Sequence, residues 1–133
     1  MISTEQKVMA MVAHGSYLLG GLGIVFVPFV LWMANGRQTF AGHHARQACL
    51  LQLVVMAVIV LICVVCGIFA VAGADEDVAV LIGIAGCGTV GIGWLVLSII
   101  AIVQGLEGKM YEYPLPGLLT KKCYDAEEES HHR

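Results

Sequence analysis

The stretch Gly42-His43-His44-Ala45-Arg46-Gln47-Ala48 packs two imidazoles, a guanidinium and a carboxamide into seven residues of an otherwise apolar chain. Imidazole can hydrogen-bond, titrate near neutrality or ligate a metal, and a carboxamide both donates and accepts. On a helix His44 and Gln47 share a face that Leu51 continues, with Gln52 close beside it, while Arg46 points away and is free to snorkel toward headgroups. Polar side chains at the end of a membrane helix either bond to neighbouring helices and fix a bundle or line a path for a polar solute. The first role is assigned to His44, Gln47 and Gln52, with His14 as the further member of an interhelical polar cluster. Neighbours on a helix diverge by about 100°, so a metal held jointly by His43 and His44 needs a third ligand and a non-helical start.

A second group with reactive chemistry is Cys63-Val64-Val65-Cys66, joined by Cys87 at a similar depth when both helices are counted from the acidic turn between them. Three thiols suit Cu(I) or a redox pair. They lie inside apolar helix, away from the cations that favour thiolate, so small-residue packing is the reading adopted. No metal or cofactor is expected, and Cys63, Cys66 and Cys87 stand as the candidates if one exists. Ser16, Thr89 and Ser98 are isolated hydroxyls able to bond their own helix, and no carboxylate lies within the apolar segments. No enzymatic activity is expected, because acid–base or nucleophilic chemistry needs such partners.

The elements that position these groups follow from charge. Of 133 residues, 59% are hydrophobic and 13% charged, far from the balance of a soluble domain. No charge lies between Lys7 and Arg37, between Arg46 and Asp75, or between Asp77 and Glu107. Each gap runs to roughly 30 residues, against the ~20 a helix needs to cross the hydrocarbon core. In lipid the backbone must satisfy itself, so even the Val- and Ile-rich stretches are read as helix. The sequence predicts an all-α integral membrane bundle of three transmembrane segments, about 8–34, 43–72 and 78–105. These form one membrane domain, 1–119, followed by a polar acidic tail, 120–133. Lys7 alone precedes the first apolar run and no small-residue cleavage site follows it, so that segment is expected to stay.

The first segment is uneven: Gly20, Gly21 and Gly23 cluster in its middle, and Pro28 follows. It is read as a kinked crossing, with the N-terminus on the outer side. The alternative is a re-entrant hairpin, which returns the N-terminus to the cytoplasmic side and brings His14 to the polar stretch. In the third segment Ala79, Gly83, Cys87 and Gly91 recur every four positions, a small-residue stripe for close helix packing within the chain or, second, between copies. Trp32, Arg46, Tyr111 and Tyr113 are assigned to the lipid interface, and Pro114 to Leu119 is too short and broken to span. Cations flank the first loop at Arg37 and Arg46 and follow the third segment at Lys109, Lys121 and Lys122, so those ends are expected in the cytoplasm and the Asp75-Glu76-Asp77 turn outside. A net charge of −3 without clustered cations excludes nucleic acid as a partner.

Taken together, Ala13-His14, Leu18-Leu19-Gly20, Pro28 with Trp32, His44-Ala45-Arg46-Gln47-Ala48 with Gln52, and Gly108 with Tyr113-Pro114-Leu115 resemble the Tic-twenty-like family of small bacterial membrane proteins, related to a subunit of the chloroplast inner-envelope import channel. The resemblance implies an integral helical protein of the bacterial cytoplasmic membrane, whose C-terminus the cations described above put in the cytoplasm. It further implies a subunit or assembly partner of a membrane complex, or a homo-oligomer, with a role in protein translocation. The chain departs from that pattern at Cys49-Leu50-Leu51. The alternative function from the residues alone is a small metal or redox carrier using the membrane thiols and His43/His44.

Overall fold

A computed structural model describes residues 2–20, 23–36, 38–73 and 75–113, and all of its regular structure is helical. Arg37, the Pro114 to Leu119 stretch and the acidic tail lie outside the described residues. Helix α1 (Thr4–Gly15) begins at Ser3, whose hydroxyl accepts from the Gln6 amide at 3.3 Å. It passes into a 3₁₀ turn, Ser16–Leu19, which ends at Gly20 with φ +66°, a backbone shape glycine takes without strain. Helix α2 (Gly23–Asn35) follows and stops at Gly36, again at positive φ.

Thr39 caps α3 (Phe40–Val71) by accepting from the Gly42 amide at 3.0 Å, so this helix starts three residues before the expected His43. Asp75 caps α4 (Glu76–Leu106) through the Asp77 amide at 2.9 Å. Both helices are long and apolar enough to cross a membrane, and only 6% and 11% of their most apolar stretches are buried within the protein. The core helix of a water-soluble protein buries its apolar residues against its own fold. These helices instead turn Val60, Leu61, Ile68, Leu81, Ile84 and Ile92 outward, which is stable only in an apolar solvent.

The first apolar segment is not the kinked crossing expected from sequence. Lys7 lies beside Gly108, past the end of α4; Ser16 lies deeper, bonded to Gln52; and α2 then runs back to Asn35, whose carbonyl accepts from Thr39 at the start of α3. The two ends of the segment therefore meet the same end of the α3/α4 pair. Each arm, of 12 and 13 residues, is only about 18–20 Å long and too short to cross. The reason is local: Gly20 breaks the helix at midpoint, and Pro28 leaves the Ile24 carbonyl without its usual helical donor. Ser16 Oγ lies 3.2 Å from that carbonyl and 2.9 Å from Ala13 O, so its one hydrogen is shared between the arms. The fold is two spanning-length helices with a helical hairpin packed on one end.

A polar core at the hairpin end as candidate functional site

Three rings that are far apart in sequence form a single hydrogen-bonded chain at this end. His14 Nε2 is 3.0 Å from His44 Nδ1, Tyr113 Oη is 3.0 Å from His14 Nδ1, and His44 Nε2 is 3.1 Å from the Lys109 carbonyl. The carbonyl can only accept, so His44 carries its proton on Nε2 and accepts on Nδ1. His14 must then donate from Nε2 and accept on Nδ1, and the Tyr113 hydroxyl donates to it. One end of the chain thus dictates both tautomers. Ser98 continues the chain by hydrogen-bonding to Tyr113.

Each member reaches the core from a different element. Ala10 and Ala13 let α1 lie close to α3 and α4: a Cβ on Gly105 would sit 3.5 Å from Ala10 Cβ and 3.8 Å from His44 Cε1. His14, His44 and Tyr113 are all 1% exposed or less. Burial disfavours the imidazolium, and the neighbouring His44 and His43 add to this, holding the His14 pKa down at about 3. Burial also pushes the Tyr113 hydroxyl well above its usual range, with Tyr111 adding to it. At neutral pH the chain is uncharged.

About two turns beyond His44 on α3, Gln52 donates to Ser16 Oγ at 3.0 Å, tying α3 to the hairpin turn. Gln47 is fully buried on the same side of α3. Among buried polar atoms without a partner in the described residues are His43 Nε2, Gln52 Oε1 and Trp94 Nε1. Leaving such an atom unpaired in a dry interior costs about 1–3 kcal/mol.

The structure brings His14, His44 and Gln52 into one region, and adds four members that the sequence reading assigned elsewhere. Tyr113 is not at the lipid interface but inside, packed with Leu51, Val55 and Ala101. Tyr111 stacks edge-on against it at 5.0 Å between ring centres. Ser16 and Ser98, read as hydroxyls serving their own helices, join contacts between elements. Their partners are 36 and 15 residues away, and no local pattern announces them. Trp32 packs on Ala13, Ala45 and Ala48, with the Arg46 guanidinium 6.0 Å from its ring centre, so this pair fastens α2 to α3.

The thiols lie at the other end. Cys63, Cys66 and Cys87, with Glu76, Ala79 and Gly83, line a groove of about 520 Å³ between α3 and α4. Cys66 Sγ rests 3.5 Å from a Cβ position on Gly83, whereas Gly91, the last residue of the small stripe, has open space beside it. Among the described residues no three His, Cys, Asp or Glu side chains are grouped so as to hold a metal ion.

A short helical hairpin sealing one end of two lipid-exposed helices, around a neutral histidine–tyrosine chain, defines a helical membrane protein. The chain belongs to the MamF/MmsF family, described as the magnetosome magnetite crystal formation protein family, whose model matches residues 5–119. Neither a curated protein nor a solved structure matches it. This membership overturns the Tic-twenty-like resemblance and, with it, the expectation of a role in protein translocation. That resemblance rested on dispersed short words such as Leu-Leu-Gly and Pro-Leu. Glycine breaks, apolar runs and interfacial prolines recur in small membrane proteins for physical reasons and do not separate families.

Proposed function

We propose that this chain is a non-enzymatic protein of a magnetosome membrane that takes part in forming magnetite crystals. The observation that carries this reading is the family match across residues 5–119. It is supported by two helices whose apolar faces turn outward. In this reading the hairpin end, which carries Arg46 and Lys109, is cytoplasmic, as the bias of cations toward that side favours, and the Asp75-Glu76-Asp77 turn faces the compartment in which a crystal would grow. Its partners in this reading are the bilayer and other proteins of the same membrane.

Deleting the encoding gene in a magnetite-forming host and measuring crystals by electron microscopy tests the proposal. Crystals of altered size or shape, restored by the wild-type chain, are expected. Unaltered crystals in the deletion strain would sink the reading.

A further inference from the structure

The half of the α3/α4 pair beyond the hairpin carries a groove instead of a closed helix seam. On α4 its wall is Glu76, Ala79, Gly83 and Cys87, about one residue per turn, and on α3 it runs from Cys63 to Ala70. The rise from Glu76 to Cys87 is about 16 Å, close to half of a ~30 Å hydrocarbon core. With the apolar run of α4 starting at Val78, Glu76 stands at headgroup level and Cys87 near the bilayer midplane. We propose that this groove binds one phospholipid of the leaflet opposite the hairpin. Its acyl chain lies between α3 and α4, and its primary ammonium headgroup, of the ethanolamine type, sits on the Glu76 carboxylate.

Shape decides for a lipid chain over a protein helix. The groove holds about 520 Å³, which over its length of about 16 Å makes a channel only about 6 Å across, against ~10–12 Å for a helix with its side chains. A methylene chain enters such a channel, whereas a helix of another protein or of a second copy can only rest on its rim. Cys63 and Ile84 on that rim are exposed, so the channel opens sideways to lipid. Left empty in hydrocarbon, the hollow would forfeit the dispersion contacts of its lining.

Charge selects the headgroup. Glu76 is the one charged residue lining the groove. From Gln47 to Gly108 the sequence has no Lys, Arg or His, so neither helix supplies a counter-ion at this end. Asp75 and Asp77 beside Glu76 add negative charge and disfavour an anionic headgroup. A primary ammonium brings a positive charge and three N–H donors to the carboxylate, while a choline brings the charge without donors. The opposite face of the helix pair offers an internal contrast. Its hollow of about 220 Å³, bounded by Val65, Phe69, Val78 and Ile82, has no charged residue and hence no means of choosing between headgroups.

The test is native mass spectrometry of the delipidated full chain in detergent, titrated with phosphatidylethanolamine, phosphatidylcholine or phosphatidylglycerol of the same acyl chains. One phosphatidylethanolamine is expected to bind about fivefold more tightly than phosphatidylglycerol, the ratio given by an ordinary exposed ion pair, with phosphatidylcholine between them. Glu76→Gln should remove the preference while one lipid still binds. Gly67→Leu, at a groove position where an added Cβ meets nothing within 4 Å, should fill the channel and abolish the first binding step without lowering the melting temperature. Phosphatidylethanolamine carrying a mid-chain diazirine should cross-link in nanodiscs to residues 63–70 and 79–87. The site is overturned if the wild type binds phosphatidylglycerol as tightly as phosphatidylethanolamine, if the preference survives Glu76→Gln, if Gly67→Leu keeps the first lipid, or if the cross-links fall outside the groove.

Discussion

The two ends of the α3/α4 pair are built from similar residues and packed in opposite ways. At the hairpin end, α1, α2 and residues 109–113 close around the helices, and a methyl on Gly42 would collide with the Gly36 carbonyl. At the acidic-turn end the same two helices stand alone, a groove separates them beside Cys63 and Cys87, and a methyl on Gly67, Gly88 or Gly91 would meet nothing within 4 Å. Glycine therefore marks two different things in one chain. Where a third element arrives it permits backbone contact, and where none does it leaves an indentation facing lipid. Burial of polar groups follows the same division: the hydrogen-bonded histidines and tyrosine occupy the enclosed end, and the Cys63, Cys66 and Cys87 thiols occupy the open one.

The sharpest way to break this contrast is Gly42→Ala. The added methyl must displace backbone, so an overpacking loss of about 3 kcal/mol is expected in detergent denaturation. Wild-type stability in that variant would show that the enclosed end is loose after all. A second route is pH. His14 has a folded pKa depressed from 6.5 to about 3, so its contribution is complete above 6.5 and is lost as pH falls through that window. Melting in detergent should lose about 1.4 kcal/mol per pH unit below 6.5. A melting curve that is flat from pH 7 to pH 5 would contradict a buried neutral His14.

Tyr113→Phe keeps the ring and deletes the hydroxyl, leaving His14 Nδ1 unsatisfied at an expected cost of about 1–2 kcal/mol in the same assay. If the variant melts with the wild type, the His14–Tyr113 bond contributes nothing. The smallest effect belongs to the open end. Gly88→Ala and Gly91→Ala fill empty space on a helix and should be neutral or stabilising by up to ~1 kcal/mol, the intrinsic helix preference of alanine. A loss above ~1 kcal/mol would instead reveal a partner seated on that face.

Much of this architecture was legible from the sequence because it is local. Charge-free runs set the apolar helices, Ser3 and Asp75 supply caps within their own first turns, and Gly36, Gly73 and Gly108 end helices by taking a left-handed shape. The break at Gly20 and the lost donor at Pro28 were legible too. Their consequence was not: a kinked crossing and a returning hairpin use the same residues, and what separates them is whether Ser16 meets the Ile24 carbonyl and Gln52. Tyr113 reads as an interfacial aromatic because its neighbours are polar or proline, and its partner His14 lies 99 residues earlier. Periodicity and capping act over a few residues and so determine helices from sequence alone. The inward turn of the first segment and the ring-to-ring hydrogen bonds join distant parts of the chain, and only the tertiary structure, by excluding water from that one end, decides which polar groups must find each other.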